Sequence, residues 1–89
     1  MLFVRIKDGF SLKNYEGQYT VVADSGELEN TIVLTETALF LWNLLKEKDV
    51  SKTEMLNALL SNFDISTVLA LGDIDVFIRT MKENGIAED

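Results

Sequence analysis

Most of the side chains that do covalent or metal chemistry are missing from this chain. Its 89 residues include no histidine and no cysteine. Without histidine the commonest general base and the commonest neutral metal ligand are gone. Without cysteine there is neither a thiolate nucleophile nor a disulfide framework. Carboxylates and hydroxyls remain. Asp73, Asp75 and Glu83 suggest a metal or an acid–base pair, yet no glycine-rich loop or array of oxygen ligands accompanies them. Such charges on a helix are ordinarily a solvated face. Asp24, Glu27 and Glu29 around Gly26 lack the alternating spacing and closing glutamate of a calcium loop. Ser11, Ser25, Ser51, Ser61 and Ser66 have no imidazole to activate them, so no nucleophile–base pair can be assembled. The expectation is a protein that is not an enzyme and has no catalytic residue, metal or cofactor.

The backbone offers a different chemistry. Asn30–Leu34 carries Ile32, Val33 and Leu34, residues that favour a pleated strand. If Ile32 and Leu34 face a core, Thr31 and Val33 face the other side. A hairpin plus this one strand leaves an edge open. Unpaired N–H and C=O groups on such an edge are a template for an added strand.

The elements that would position this edge can be read in order. Residues 1–8 alternate loosely and form an edge strand or an extended lead-in. Asp8-Gly9 turns the chain. Phe10–Tyr15 alternates apolar and polar, Glu16-Gly17 turns it again, and Gln18–Ala23 is rich in β-formers; these two runs read as a hairpin. After a polar loop and the third strand, Thr35 is placed to cap a helix, with Glu36 at the positive end of its dipole. That helix spans Glu36–Glu47. Ala38, Leu41, Trp42 and Leu45 form its apolar stripe, which Phe40 and Leu44 widen. Residues 48–50 are a connection. Ser51-Lys52-Thr53-Glu54 is a capping box, opening a second helix with Met55, Leu56, Leu59, Leu60 and Phe63 on its apolar face. Ser66 caps a third helix, whose buried face is read as Leu71, Ile74, Ile78 and Met81, with Phe77 beside them. Gly72 lies inside it, and Gly85 with Ile86 suits a Schellman closure. The lone Val76 falls away from that stripe, and is informative only as part of a larger patch.

Fifteen acidic residues against eight basic ones set a formal net charge of −7, which disfavours nucleic acid. Only Arg79 and Lys82 represent the basic residues in the last helix, a weak phosphate anchor. The apolar start, Met1–Val4, is too short for a signal sequence or a membrane span. The expectation is one cytoplasmic domain over residues 1–89, with no membrane or nucleic-acid partner. Its acidic surface favours a basic partner.

Taken together these residues resemble the PqqD-like family, named for pyrroloquinoline quinone biosynthesis protein D and called RiPP recognition elements in other peptide pathways. The likeness runs from about Ile6 to Ile86. Gly9-Phe10 with Leu12 and Tyr19–Val21 look like its opening hairpin. Ile32–Thr37 with Phe40, Leu41 and Trp42 looks like its strand-to-helix signature, usually with Asn where this chain has Thr35. Leu56, Leu59, Leu60, Phe63 and Asp64 fit its second helix. Asp73-Ile74, Phe77-Ile78, Met81 and Gly85-Ile86 match its closing pattern.

The resemblance implies an α+β, winged-helix-like fold, with a three-stranded antiparallel sheet followed by three helices. It also implies a non-catalytic function. The leader segment of a ribosomally made precursor peptide adds as a strand to the third strand, in the groove beside the third helix. It is then presented to a modifying enzyme, often a radical S-adenosylmethionine enzyme, or to a leader protease. Carried over to this chain, Thr31, Ile32, Val33 and Leu34 offer the edge. Asp73, Val76, Phe77, Thr80 and Met81 form the helical wall. Met1–Val4 can pair with a sheet edge, cover it, or swap between the protomers of a homodimer. A winged-helix DNA-binding regulator and a small structural or dimerisation module are the alternatives. The net charge counts against the first of these.

Overall fold

A computed structural model describes residues 3–89. Its elements run β1 (Phe3–Ile6), β2 (Phe10–Tyr15), β3 (Gln18–Ala23), β4 (Val33–Leu34), α1 (Glu36–Glu47), β5 (Val50–Ser51), α2 (Lys52–Asn62), α3 (Thr67–Glu83) and β6 (Ala87–Glu88). Glu16 and Gly17 both take positive φ, 52° and 89°, the two-residue turn whose twist matches that of paired strands. The Asn14 side-chain carbonyl accepts the Gly17 N–H at 2.8 Å, which fixes this turn and hence the register of β2 on β3. Strand β4 then adds antiparallel to β3, with Thr20 opposite Val33 and Tyr19 opposite Leu34. The result is the expected three-stranded order, β2-β3-β4, but of the Asn30–Leu34 run read as the third strand only Val33–Leu34 is strand.

The three helices follow it, each opened by the side chain expected to do so. Thr35 Oγ1 accepts the Ala38 N–H at 3.2 Å, Ser51 Oγ the Glu54 N–H at 3.1 Å, and Ser66 Oγ the Leu69 N–H at 3.2 Å. Helix α3 closes as a Schellman motif. Ile86 N–H donates to the Met81 carbonyl at 2.8 Å and Gly85 N–H to that of Lys82 at 3.1 Å, with Gly85 at φ +71°. The chain is α+β and winged-helix-like.

Four further expectations change. Residues 48–50 are not merely a connection, because Val50 and Ser51 form β5 and pair with Val4 and Phe3. Strand β6 also pairs with β1, so the lead-in is the middle strand of a second small sheet, β5-β1-β6. Phe3 and Val4 therefore pair within the chain; Met1 and Leu2, assigned the same edge-pairing or swapping role, lie outside the described residues. The stripe of α3 is rotated: Ala70, Ile74, Phe77 and Met81 are buried, while Leu71 and Ile78 are half-buried flanks. Leu60 of α2 is exposed, not on the apolar face, because α2 buries its Met55–Leu59 line instead.

The core sits between the two sheets and the helices. Leu41, Trp42 and Leu45 of α1 meet Val4 and Ile6 of β1, Met55 and Leu59 of α2, and Ile74 and Met81 of α3. Phe40 and Phe63 pack edge to face, with centroids 5.4 Å apart, which ties the end of α2 to α1.

Candidate functional site

The hydrogen-bond register of β4 decides what its edge presents. Val21 N–H donates to the Ile32 carbonyl at 3.0 Å, so Val21 and Ile32 form a hydrogen-bonded pair. In an antiparallel ladder bonded and non-bonded pairs alternate. Thr20 and Val33 are therefore a non-bonded pair, and Tyr19 and Leu34 a bonded one. The other side of β3 agrees: Asp24 N–H donates to the Gly9 carbonyl at 2.8 Å, and counting down that ladder turns Thr20 toward Lys13 of β2. It follows that Val33 directs its own N–H and C=O away from β3. Because β4 is the last strand of its sheet, those groups point at the open edge.

Beyond that edge lies α3, and between them is a groove of about 200 Å³. Ile32, Val33, Leu34, Asp73, Val76, Phe77, Thr80 and Met81 all line it, together with Thr35, Thr37 and Ala38. The floor is buried, with Phe77 at 4 % and Met81 at 1 % exposure, while Val33 and Val76 form exposed lips at 47 % and 54 %. Thr31 is the one candidate that falls outside; its side chain borders the neighbouring depression beside Thr20–Ala23. Val76 belongs to a patch after all, and the rotation of α3 explains this. Asp73, Val76 and Thr80 recur at three and four residues on one helix face, beside the buried line through Phe77.

Two side-chain hydrogen bonds hold the walls together. Asn30 Nδ2 donates to Asn84 Oδ1 at 3.0 Å, and Thr37 Oγ1 donates to Asp73 Oδ2 at 3.1 Å. The segment leading into β4 thus lies at the end of α3, and the start of α1 lies at Asp73. Asn84 is anchored in turn, its amide donating to the Thr80 carbonyl at 2.8 Å. Thr35, read only as a cap, and Thr37, Ala38, Asn30 and Asn84 were not foreseen as part of this site. Thr35 and Thr37 had a signal, since they fall within the strand-to-helix signature; the others are set by tertiary approach.

Among the described residues Asp73 is the only charged one lining the groove. Among the described residues the ion pairs are Arg5–Glu88, Lys48–Glu54, Lys52–Asp75 and Lys82–Asp89, and Asp73 belongs to none of them. No group of three or more His, Cys, Asp or Glu among the described residues is placed to hold a metal ion. No helix of the described residues is long and apolar enough to cross a membrane.

Comparison with known proteins bears on the whole fold. TbiB1, solved in complex with the TbiA(beta) leader peptide, superposes with a TM-score of 0.71 at 16 % identity, over 94 % of each chain. A lasso peptide synthetase B1 complexed with the leader peptide superposes with a TM-score of 0.72 at 20 % identity, over 97 % of this chain and 98 % of its own. No curated protein is similar to the chain in sequence. The family model of Coenzyme PQQ synthesis protein D matches residues 16–87, from the turn of the hairpin through α3 to β6, and the chain belongs to the PqqD family.

Proposed function

We propose that this chain binds the leader segment of a ribosomally made precursor peptide by strand addition to β4. It is a recognition module without catalysis of its own, and presents the peptide to a modifying enzyme of the radical S-adenosylmethionine type or to a leader protease. The observation that carries this reading is the outward N–H and C=O of Val33 above an apolar groove. An added strand supplies the missing partners for Val33, which gives affinity through backbone bonds and specificity through side-chain pockets. Its residue opposite Val33 shares the solvent face with Val33. The two flanking residues point to the other face, over Phe77, Val76 and Ala38. An apolar residue, any residue, then an apolar residue is the pattern such a groove accepts. Membership of the PqqD family and the leader-bound state of both structural neighbours support the same reading.

A DNA-binding role fits less well. The net charge is −7, and of the two basic residues on α3, Lys82 is already held by Asp89. Amide NMR titration with leader peptides encoded beside the gene tests the proposal. Shifts concentrated at residues 30–38 and 73–84 are the expected result. No shift with any such leader would sink it.

A further inference from the structure

We infer that Asp73 makes this groove selective for a peptide carrying a lysine or arginine at one fixed position. The inference rests on the strand-addition reading above and names the chemistry of one peptide residue. It starts from what the surrounding donors are already doing. Thr37 spends its hydroxyl proton on Asp73 Oδ2. Thr35 Oγ1 accepts the Ala38 N–H, so the first-turn donor of α1 nearest Thr35 is also spent. The Thr35 hydroxyl lies 3.4 Å from that of Thr37, close enough to donate into it and reinforce the Thr37–Asp73 bond. Among the described residues nothing donates to Asp73 Oδ1. The remaining lining is aliphatic, aromatic or hydroxyl, and contains no lysine or arginine.

In the free protein this carboxylate is half-buried and still reaches water. A strand laid along β4 covers the groove and removes that water. A carboxylate buried without a charged partner is strongly unfavourable, and a hydrogen-bonded cation offsets part of that loss. The unspent oxygen therefore rejects an acidic or aliphatic residue at the covering position and favours a cation. Glu36 borders the adjoining depression and adds negative potential at the same end. From Asp73 to Val76 is one helical turn, a rise of roughly 4.5 Å, or one to two residues of an extended strand at about 3.3 Å each. The cation accordingly sits about one or two residues from the apolar pair, on the side nearer Thr37.

Random dodecapeptides selected by mRNA display on the immobilised protein test this, with Kd then measured by fluorescence anisotropy. The enriched sequences should carry lysine or arginine at a constant offset from the apolar pair. Asp73→Asn, which still accepts from Thr37, should weaken those peptides by about tenfold or more, as expected for loss of a charge-assisted bond. The same substitution should tighten binding of their norleucine analogues, since it removes the carboxylate whose burial against an aliphatic residue is costly. Peptides that shift the amides of Val33, Val76 and Phe77 without a fixed cation, or that bind both proteins equally, would overturn the role of Asp73 and leave strand addition standing. Failure to enrich any peptide, or binding that leaves those amides unmoved, would overturn strand addition and this inference together.

Discussion

Replacing Val33 with proline separates the edge of β4 from its interior. Val33 forms a non-bonded pair with Thr20, so its N–H takes no part in the ladder and proline removes nothing from the folded protein's own hydrogen bonding. Proline is tolerated on edge strands for this reason. The Val33 side chain is 47 % exposed, so little packing is lost, and a stability change within about 1 kcal/mol is expected, as for surface positions and backbone stiffening. Binding is another matter. A bound strand loses one N–H···O bond, a net loss of roughly 0.5–1.5 kcal/mol, and its carbonyl is left unsatisfied against the groove at a cost of about 1–3 kcal/mol. These ranges overlap in origin, so a total of about 1.5–3 kcal/mol is reasonable, equivalent to a Kd weaker by roughly tenfold to a hundredfold. Calorimetric titration of a leader peptide into wild type and Val33→Pro, with thermal melts on both, supplies the comparison. Val33→Ala controls for the side chain and should lose less than about fivefold, since only part of two methyl groups is removed from contact. A folded Val33→Pro protein with wild-type affinity would refute the register or the edge.

Other outcomes follow from individual positions. Gly72→Ala should raise stability by about 0.5–1 kcal/mol, because a Cβ there meets nothing within 4 Å and glycine is costly inside a helix; chemical denaturation reads this directly. Gly85→Ala should have the opposite sign and lower stability by about 1–2 kcal/mol, because φ is +71° and a side chain is strained there. Thr35→Ala removes the cap on α1 and should destabilise by about 1 kcal/mol, whereas Thr35→Asn keeps an accepting oxygen and should be neutral or slightly stabilising in the same melts.

The order of strands and helices was legible because each boundary carries its own local chemistry. Glu16-Gly17, Thr35, Ser51, Ser66 and Gly85-Ile86 all act in the structure as turns, caps or closures. Less legible were features that depend on distant partners. Val50-Ser51 and Ala87-Glu88 are too short to announce themselves as strands and become so only by meeting β1. The stripe of α3 was not legible because Ala70, a weak hydrophobe in sequence, is wholly buried while Leu71 beside it is only half-buried. That rotation is what makes Val76 the lip of a groove and not an isolated residue. The outward direction of Val33 was likewise beyond reach until the register was known, since a one-residue slip reverses it.

The two bonds that flank β4, from Asn30 before it to Asn84 and from Thr37 of α1 to Asp73 of α3, have a thermodynamic consequence. These bonds restrain both walls before any peptide arrives, so much of the ordering entropy of association falls on the ligand. Affinity should then track the stiffness of the peptide more than any change in the protein. β-branched residues, macrocyclisation or N-methylation at amides turned away from β4 would each tighten binding by narrowing the free peptide's ensemble.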